Sequence, residues 1–182
     1  MNPEQQDLLR KANDLLQAGD IKQAIEILSA TFGPDHLYVG IGYNALGARQ
    51  YEAEEWQAAR LSIQQARLIW EKHKGWESAE VAACANNLGR VFEHLGDYEK
   101  GVKLHSEALT IRKTVLGENN IDTAMSYLSL GAALLSTKKA TEAKECFEKG
   151  LRVYNALGLN DSPEAKACIS NAELCDKVAQ GS

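Results

Sequence analysis

Hydrophobic residues recur along the chain at the three- and four-residue spacing that places them on one face of an α-helix. Between Ser78 and Leu95, for example, Leu88 and Phe92 lie four residues apart and so follow this spacing. No run alternates β-branched and polar residues in the way that a half-buried strand does. The pattern therefore predicts an all-α chain.

The helical pattern is itself repeated. A shift of 42 residues aligns Gly47 with Gly89 and Gly131, and each of these glycines follows a leucine. A shorter first unit aligns by a shift of 35 residues, which places Ala24 under Ala59. Such a period is the signature of a helical-repeat array. The sequence thus predicts a single domain over residues 1–182, with units at about 3–36, 37–77, 78–119 and 120–160 and a capping helix at about 162–179.

Each unit is expected to hold two helices joined by a short turn. In the third unit Gly96 ends the first helix and Asp97 caps the second. Ser162 and Pro163 open a ninth helix, because Ser is a good cap and Pro is preorganised for the first helical position. The predicted pairs are Pro3–Ala18 with Asp20–Thr31, Tyr38–Ala53 with Glu55–Lys74, Ser78–Leu95 with Asp97–Leu116, and Asp122–Thr137 with Lys139–Leu157.

Glycines inside the predicted first helices indicate where the two helices of a unit approach closely. Gly in mid-helix costs about 0.5–1 kcal/mol relative to Ala, so a gain in packing must offset it. One helix pair cannot bury both of its apolar faces, and neighbouring pairs must therefore stack. The small residues expected to face each other are Gly47 with Ala59, Gly89 with Gly101, and Gly131 with Ala143.

These residues resemble the tetratricopeptide-repeat family. Its pattern is met by Leu88-Gly89, Phe92, Gly96-Asp97-Tyr98 and Ala108. The 42-residue variety, with Asn86-Asn87-Leu88-Gly89 and Ala108-Leu109-Thr110-Ile111-Arg112, is similar to the repeats of kinesin light chains. The resemblance implies a right-handed superhelical solenoid of antiparallel helix pairs. A departure from the pattern is Lys138-Lys139-Ala140, which replaces Gly-Asp-Tyr and implies a tight last turn.

The resemblance also implies a binding site. In this family the first helices of successive units line a concave groove that holds an extended peptide or a partner helix. Asn suits such a groove because its amide offers donors and an acceptor to a peptide backbone; the alternative is a solvated helix residue. The groove residues carried over are Arg10, Asn13, Gln17, Asn44, Ala48, Tyr51, Asn86, Asn87, Arg90, His94, Met125, Ser129, Ala132, Asn171 and Leu174.

Charge and composition narrow the partners. The chain has 20 Lys and Arg against 25 Asp and Glu, a formal charge of −5, which opposes binding to nucleic acid or to an anionic membrane. No apolar stretch approaches the roughly 20 residues that cross a bilayer, and no export signal is visible. Four cysteines lack the CxxC spacing of redox or zinc sites, which favours reduced thiols in a cytoplasmic protein.

The sequence holds no catalytic or cofactor signature. It has no phosphate-binding loop and no Ser or Cys with a plausible His and acid, and its histidines lack zinc-ligand spacing. We therefore expect no enzyme, no metal and no cofactor. His105 occupies the place of Ile63 and Phe147 and is expected in the core. Trp70 is expected to be half-buried, and Trp76 is expected to cover a loop, with contact to a partner as the alternative.

Three functions fit this sequence. The first is a non-catalytic adaptor that holds a peptide or helix of a partner protein in the groove. The second is a dedicated client chaperone that escorts a secretion or assembly substrate, which Tyr51, Met125 and Leu174 favour. The third is a sensor of a small molecule or peptide. A monomer or a weak homo-oligomer is expected in each case.

Overall fold

The computed structural model describes residues 1–180. Across that range the chain forms nine α-helices and no strand. Each end that the sequence predicts lies within one residue of the observed end, whereas the division into repeats of a single domain stays a prediction. The helices are α1 (Pro3–Ala18), α2 (Ile21–Phe32), α3 (Leu37–Glu52), α4 (Trp56–Lys74), α5 (Ala79–His94), α6 (Tyr98–Leu116), α7 (Ile121–Ser136), α8 (Ala140–Ala156) and α9 (Pro163–Gln180).

The first compact unit extends from Met1 to Trp76 and contains α1 to α4. A capping box fixes its first helix: the Asn2 side chain accepts a hydrogen bond from the Gln5 backbone N–H at 2.8 Å, and the Gln5 side chain accepts one from Asn2 at 3.1 Å. Leu28 and Val39 lie in its apolar core together with Ile25 and Ile69. Burial of these faces drives the packing of α2, α3 and α4.

The second compact unit begins at Glu77 and contains α5 to α9. Phe147 and Tyr154 of α8 are its largest fully buried side chains, and Cys168 of α9 packs in the same cluster. The helix α9 rests mainly on α8 and also touches α7. An ion pair between Lys144 of α8 and Asp176 of α9, at 2.6 Å, lies beside this contact. The ninth helix thus covers apolar surface of the last pair.

Glycines bring the two helices of a pair together, as the sequence predicts. A Cβ atom added to Gly47 would lie 2.5 Å from Ile63, and one added to Gly131 would lie 2.7 Å from the Phe147 ring. The third case is Gly89, whose added Cβ would lie 2.7 Å from Nε2 of His105. In each pair, the side chain next to the glycine lies four residues after the small residue that the sequence placed opposite it. Ile63 follows Ala59, His105 follows Gly101, and Phe147 follows Ala143.

The turns inside three pairs share an unusual backbone conformation. Residues 54, 96 and 138 are 42 positions apart, and all three have positive φ: 60° at Glu54, 83° at Gly96 and 63° at Lys138. Only glycine adopts this left-handed conformation without steric cost. Lys138 and Glu54 therefore carry backbone strain that Gly96 avoids.

Two tryptophans differ from the sequence expectation. Trp70 is buried, with 8% of its surface exposed, because it lies on the core side of α4 beside Ile69. Trp76 exposes 62% of its surface, too much for a side chain that covers a loop. The expected half-burial of Trp70 and the expected lid at Trp76 are therefore wrong. His105 is 1% exposed and lies in the core as expected.

Candidate functional site

The candidate site in the second unit is the side of α5, α7 and α9 that no other helix of that unit covers. Positions 87, 129 and 171 recur at 42-residue intervals and are half-buried, whereas the neighbouring Leu88 and Leu130 are buried. One turn further along, positions 90, 132 and 174 are exposed on all three helices. We call this the unit 2 face, and its residues are Asn87, Arg90, His94, Met125, Ser129, Ala132, Asn171 and Leu174.

The chemistry of the unit 2 face changes from one helix to the next. On α5 it presents the amide of Asn87, with the exposed Arg90 and His94 on the following turns. On α7 and α9 it presents apolar groups, since Met125 is 46% exposed and Leu174 is 44% exposed. The face therefore offers hydrogen-bonding side chains on all three helices, with positive charge on α5 and apolar contact on α7 and α9.

Asn86 and Asn87, although adjacent, serve different surfaces. The Oδ1 atom of Asn86 lies 3.0 Å from Nδ1 of the buried His105, across the contact between α5 and α6. Since a side-chain carbonyl oxygen accepts, His105 donates through Nδ1. The second ring nitrogen of His105 lies 3.6 Å from Oε1 of Glu93. Asn86 therefore contributes to packing within its own helix pair.

Asn44 occupies the position in the first unit that Asn86 holds in the second, 42 residues later. The position corresponding to His105 is Ile63, which offers no hydrogen bond. Accordingly, the Oδ1 atom of Asn44 is buried and has no hydrogen-bond partner among the described residues. Asn44 and Asn86 thus occupy a different register position from Asn87, Ser129 and Asn171.

The other predicted residues of the first unit lie on α1 and α3. Arg10, Asn13 and Gln17 of α1 are all exposed, and Arg10 forms an ion pair with Asp7 at 2.8 Å. The Tyr51 ring of α3 meets the Trp56 ring edge-on, with 5.0 Å between their centroids. These side chains are accessible, but their part in binding stays a prediction. Ile41 of α3 is 46% exposed and lies 84 residues, or two repeats, before Met125, but it is absent from the predicted groove.

A polar cluster ties α7 to the loop before it. The Tyr127 hydroxyl donates to Oε1 of Glu118 at 2.5 Å, and Nζ of Lys113 lies 3.0 Å from Oε2 of the same carboxylate. The hydrogen bond from Tyr127 lowers the pKa of Glu118, while burial raises the pKa of Tyr127. Arg112 donates to the Asp122 carbonyl and to the Ser126 hydroxyl. The groups satisfy one another, so the cluster is structural.

The four cysteines are buried, and none of them forms a disulfide with another described residue. Burial raises the pKa of Cys146 and of Cys168 to about 11, so both remain protonated thiols at neutral pH. No group of three or more His, Cys, Asp or Glu residues within positions 1–180 could hold a metal ion. Over the same positions, no helix combines the length and apolar character needed to cross a membrane.

Comparison with known proteins agrees with this architecture. Residues 80–156 match the family model described as tetratricopeptide repeat. Protein KINESIN LIGHT CHAIN-RELATED 3 of Arabidopsis thaliana is 31% identical over 104 residues, which cover 56% of this chain and 16% of that protein. The chain thus spans about a sixth of the length of this relative.

Solved structures show the same fold at low sequence identity. The crystal structure of nearly identical TPR-like repeats of a putative kinesin light chain from Podosopora anserina superposes with a TM-score of 0.73 at 17% identity, covering all of this chain and 90% of that one. BtubC (BKLC) from P. vanneervenii superposes with a TM-score of 0.65 at 20% identity, covering 94% and 79%. The fold class is an all-α helical-repeat solenoid, and residues 80–156 are similar to tetratricopeptide repeats, with kinesin light chain proteins among the relatives and structures matched.

Proposed function

We propose that the chain is a non-catalytic adaptor that binds a peptide or helix of a partner protein on its first-helix faces. The observation that carries this proposal is the unit 2 face. The alternate helices α5, α7 and α9 leave the same register positions uncovered. The face holds amides, a guanidinium and flexible apolar side chains rather than uniform charge. The fold itself supports a protein-interaction scaffold.

The line of Asn87, Ser129 and Asn171 suits a polypeptide backbone. Each of these side chains can donate and accept hydrogen bonds, and each is half-buried and so loses little freedom on binding. Met125 and Leu174 add apolar contact on the flexible side chains that interaction surfaces favour. The adaptor would act in the cytoplasm, a location supported by four buried cysteines that form no disulfide among the described residues.

Site-specific cross-linking tests this proposal. A photoreactive residue placed at Met125, exposed on the unit 2 face, should capture a partner in lysate of the source cells. The matched control carries the same residue at Thr110, which is exposed on α6. We expect one protein to be cross-linked from Met125 and absent from the Thr110 sample. Equal capture from both positions, or capture from Thr110 alone, would contradict the proposal.

A dedicated client chaperone is the second candidate. The exposed Met125 and Leu174 favour it, together with Val178 on the following turn of α9, which is 39% exposed. A chaperone should keep its client soluble, whereas an adaptor binds a partner that is soluble without it. Light scattering of the captured partner, refolded with and without the chain, distinguishes the two.

A further inference from the structure

Two leucines on the outer side of α4 expose large apolar surfaces. Leu61 is 54% exposed and Leu68 is 58% exposed, while Ile63 and Trp70 of the same helix are buried. The two leucines are seven residues apart, or about 10.5 Å along a straight helix. Both therefore lie on one side of α4, opposite its packed side.

The repeat itself does not require leucine at these positions. The residues 42 positions after Leu61 and Leu68 are Lys103 and Thr110 on α6, both exposed. The residues after a further 42 positions are Glu145 and Arg152 on α8, also exposed. Because α6 and α8 have the same design and carry polar groups at these positions, folding alone does not explain the leucines on α4.

The side chains around these leucines form a palindromic stripe. In order they are Gln57, Leu61, Gln64, Gln65, Leu68 and Lys72, and the order reads almost the same in reverse about the bond between residues 64 and 65. At 100° per residue the six fall within an arc of about 100° on the helix. Gln64 is half-buried and the other five are exposed. We call these six residues the α4 stripe.

We propose that the α4 stripe joins two copies of this chain in a symmetric, antiparallel pair of α4 helices. A two-fold axis between residues 64 and 65 places Leu61 against Leu68 of the second copy, and Leu68 against its Leu61. It also places Gln64 of each copy against Gln65 of the other, where amide donors meet amide acceptors. Such an isologous contact requires a self-complementary patch, which a palindrome provides.

Charge favours a second copy in this orientation. The four central residues of the stripe are uncharged, and interface cores are depleted of charged residues. In the antiparallel pair Lys72 faces Gln57, whereas in a parallel pair it would face Lys72 of the second copy. Lys72 also forms an ion pair with Asp35 at 2.6 Å, and the adjacent Arg60 donates to Gln57 at 3.1 Å. Arg67 and Glu71, which also flank the stripe, form an ion pair with each other at 2.7 Å. The charges beside the stripe are therefore largely compensated within the chain. With two leucines per copy, the association is weak.

Sedimentation equilibrium of the full chain, from about 10 to about 500 µM, tests the proposal. We expect a monomer–dimer equilibrium that Leu61→Lys or Leu68→Thr weakens at least tenfold. These substitutions introduce the residues that α6 carries at the same positions, so the fold should tolerate them. The control Lys103→Ala, which trims an exposed side chain on α6, should leave the equilibrium unchanged.

Disulfide cross-linking gives a second readout that does not remove either leucine. Gln65→Cys lies next to the proposed axis and should form a covalent dimer under mild oxidation, because the native thiols are buried. Lys103→Cys on α6 should remain monomeric. The proposal is overturned by a parent chain that stays monomeric over the whole range, by a dimer that both leucine variants leave intact, or by equal cross-linking from residues 65 and 103.

Discussion

At the scale of single residues, the contact between α5 and α6 depends on the hydrogen that Gly89 carries in place of a side chain. Three atoms of the His105 ring lie 2.7 to 2.9 Å from where a Cβ would be. The ring has little room to move, because it is 1% exposed and bonded to Asn86. Gly150 of α8 offers a contrast, since its nearest neighbours would lie 3.4 Å from an added Cβ.

We therefore expect Gly89→Ala to lower the free energy of unfolding by about 1–2 kcal/mol. Overpacking costs about 1–3 kcal/mol, and the better helix propensity of Ala returns about 0.5–1 kcal/mol. Gly150→Ala is the matched control in the same unit and should be neutral or slightly stabilising. Urea denaturation followed by circular dichroism measures both. A Gly89→Ala chain as stable as its parent would show that the helices separate without cost.

The strained turn residue Lys138 gives a second prediction at this scale. Its φ of 63° matches the 83° of Gly96, one repeat earlier. Lys138→Gly should stabilise the chain by a few tenths to about 1 kcal/mol, because relief of the left-handed conformation outweighs the added entropy of the unfolded chain. Gly96→Lys, the reverse exchange, should destabilise it. The same urea titration decides, and destabilisation by Lys138→Gly would contradict the account of the turn.

Asn44 and Asn86 give a third prediction. Asn86→Leu removes the acceptor of a buried His105 nitrogen and should cost about 1–3 kcal/mol. Asn44→Leu removes a buried oxygen that has no hydrogen-bond donor among the described residues and should stabilise the chain by about 1 kcal/mol. Leu128 already occupies this position one repeat after Asn86. Thermal melting of the two variants compares them, and equal losses would show that the two asparagines have the same environment.

At the scale of helices, the sequence predicts the ends of all nine elements in the described range because turn signals mark them. Gly96 ends α5, Asp97 accepts the Lys100 N–H in front of α6, and Ser162 accepts the Ala165 N–H in front of α9. These signals are local, since each involves residues within one helical turn. Local chemistry is read directly from sequence, which explains the agreement.

The direction of individual side chains is harder to predict because it depends on the helix opposite. Adjacent residues of a helix point about 100° apart, and the sequence shows only that Asn86 and Asn87 are both polar. His105, 19 residues away, decides which of them turns inward. The same limit applies to Trp70, whose burial depends on packing across its unit. The repeat comparison does carry one overlooked signal, because Leu61 and Leu68 replace polar residues of the later repeats.

The last helix gives a prediction at this scale. Ala165, Cys168 and Cys175 of α9 are buried, and removal of the chain after Gly158 should uncover their apolar neighbours on α7 and α8. We expect the truncated protein to melt at a lower temperature and to self-associate, as differential scanning calorimetry and light scattering would show. An unchanged melting temperature in the truncated protein would make α9 dispensable.

The intact chain should react slowly with a thiol reagent, because burial raises the pKa of Cys146 and Cys168 to about 11.

At the scale of the molecule, two compact units share one helical-repeat design and differ in what they expose. The first unit carries the exposed leucines of α4, and the second carries the mixed polar and apolar face of α5, α7 and α9. The fold requires neither feature, because equivalent positions elsewhere in the chain hold other residue types. We therefore propose that function lies at the surface positions whose residue types differ between repeats of the same fold.

Binding by the unit 2 face is the central claim, and the affinity of the captured partner for point variants tests it most directly. Isothermal titration should show that Asn87→Ala weakens binding by about 1–3 kcal/mol, because a partner group is left unpaired. The stability of this variant should hardly change, since Ala favours a helix more than Asn. Lys103→Ala on α6 should bind like the parent. Undiminished binding by Asn87→Ala, together with a loss in Lys103→Ala, would place the site on the opposite surface.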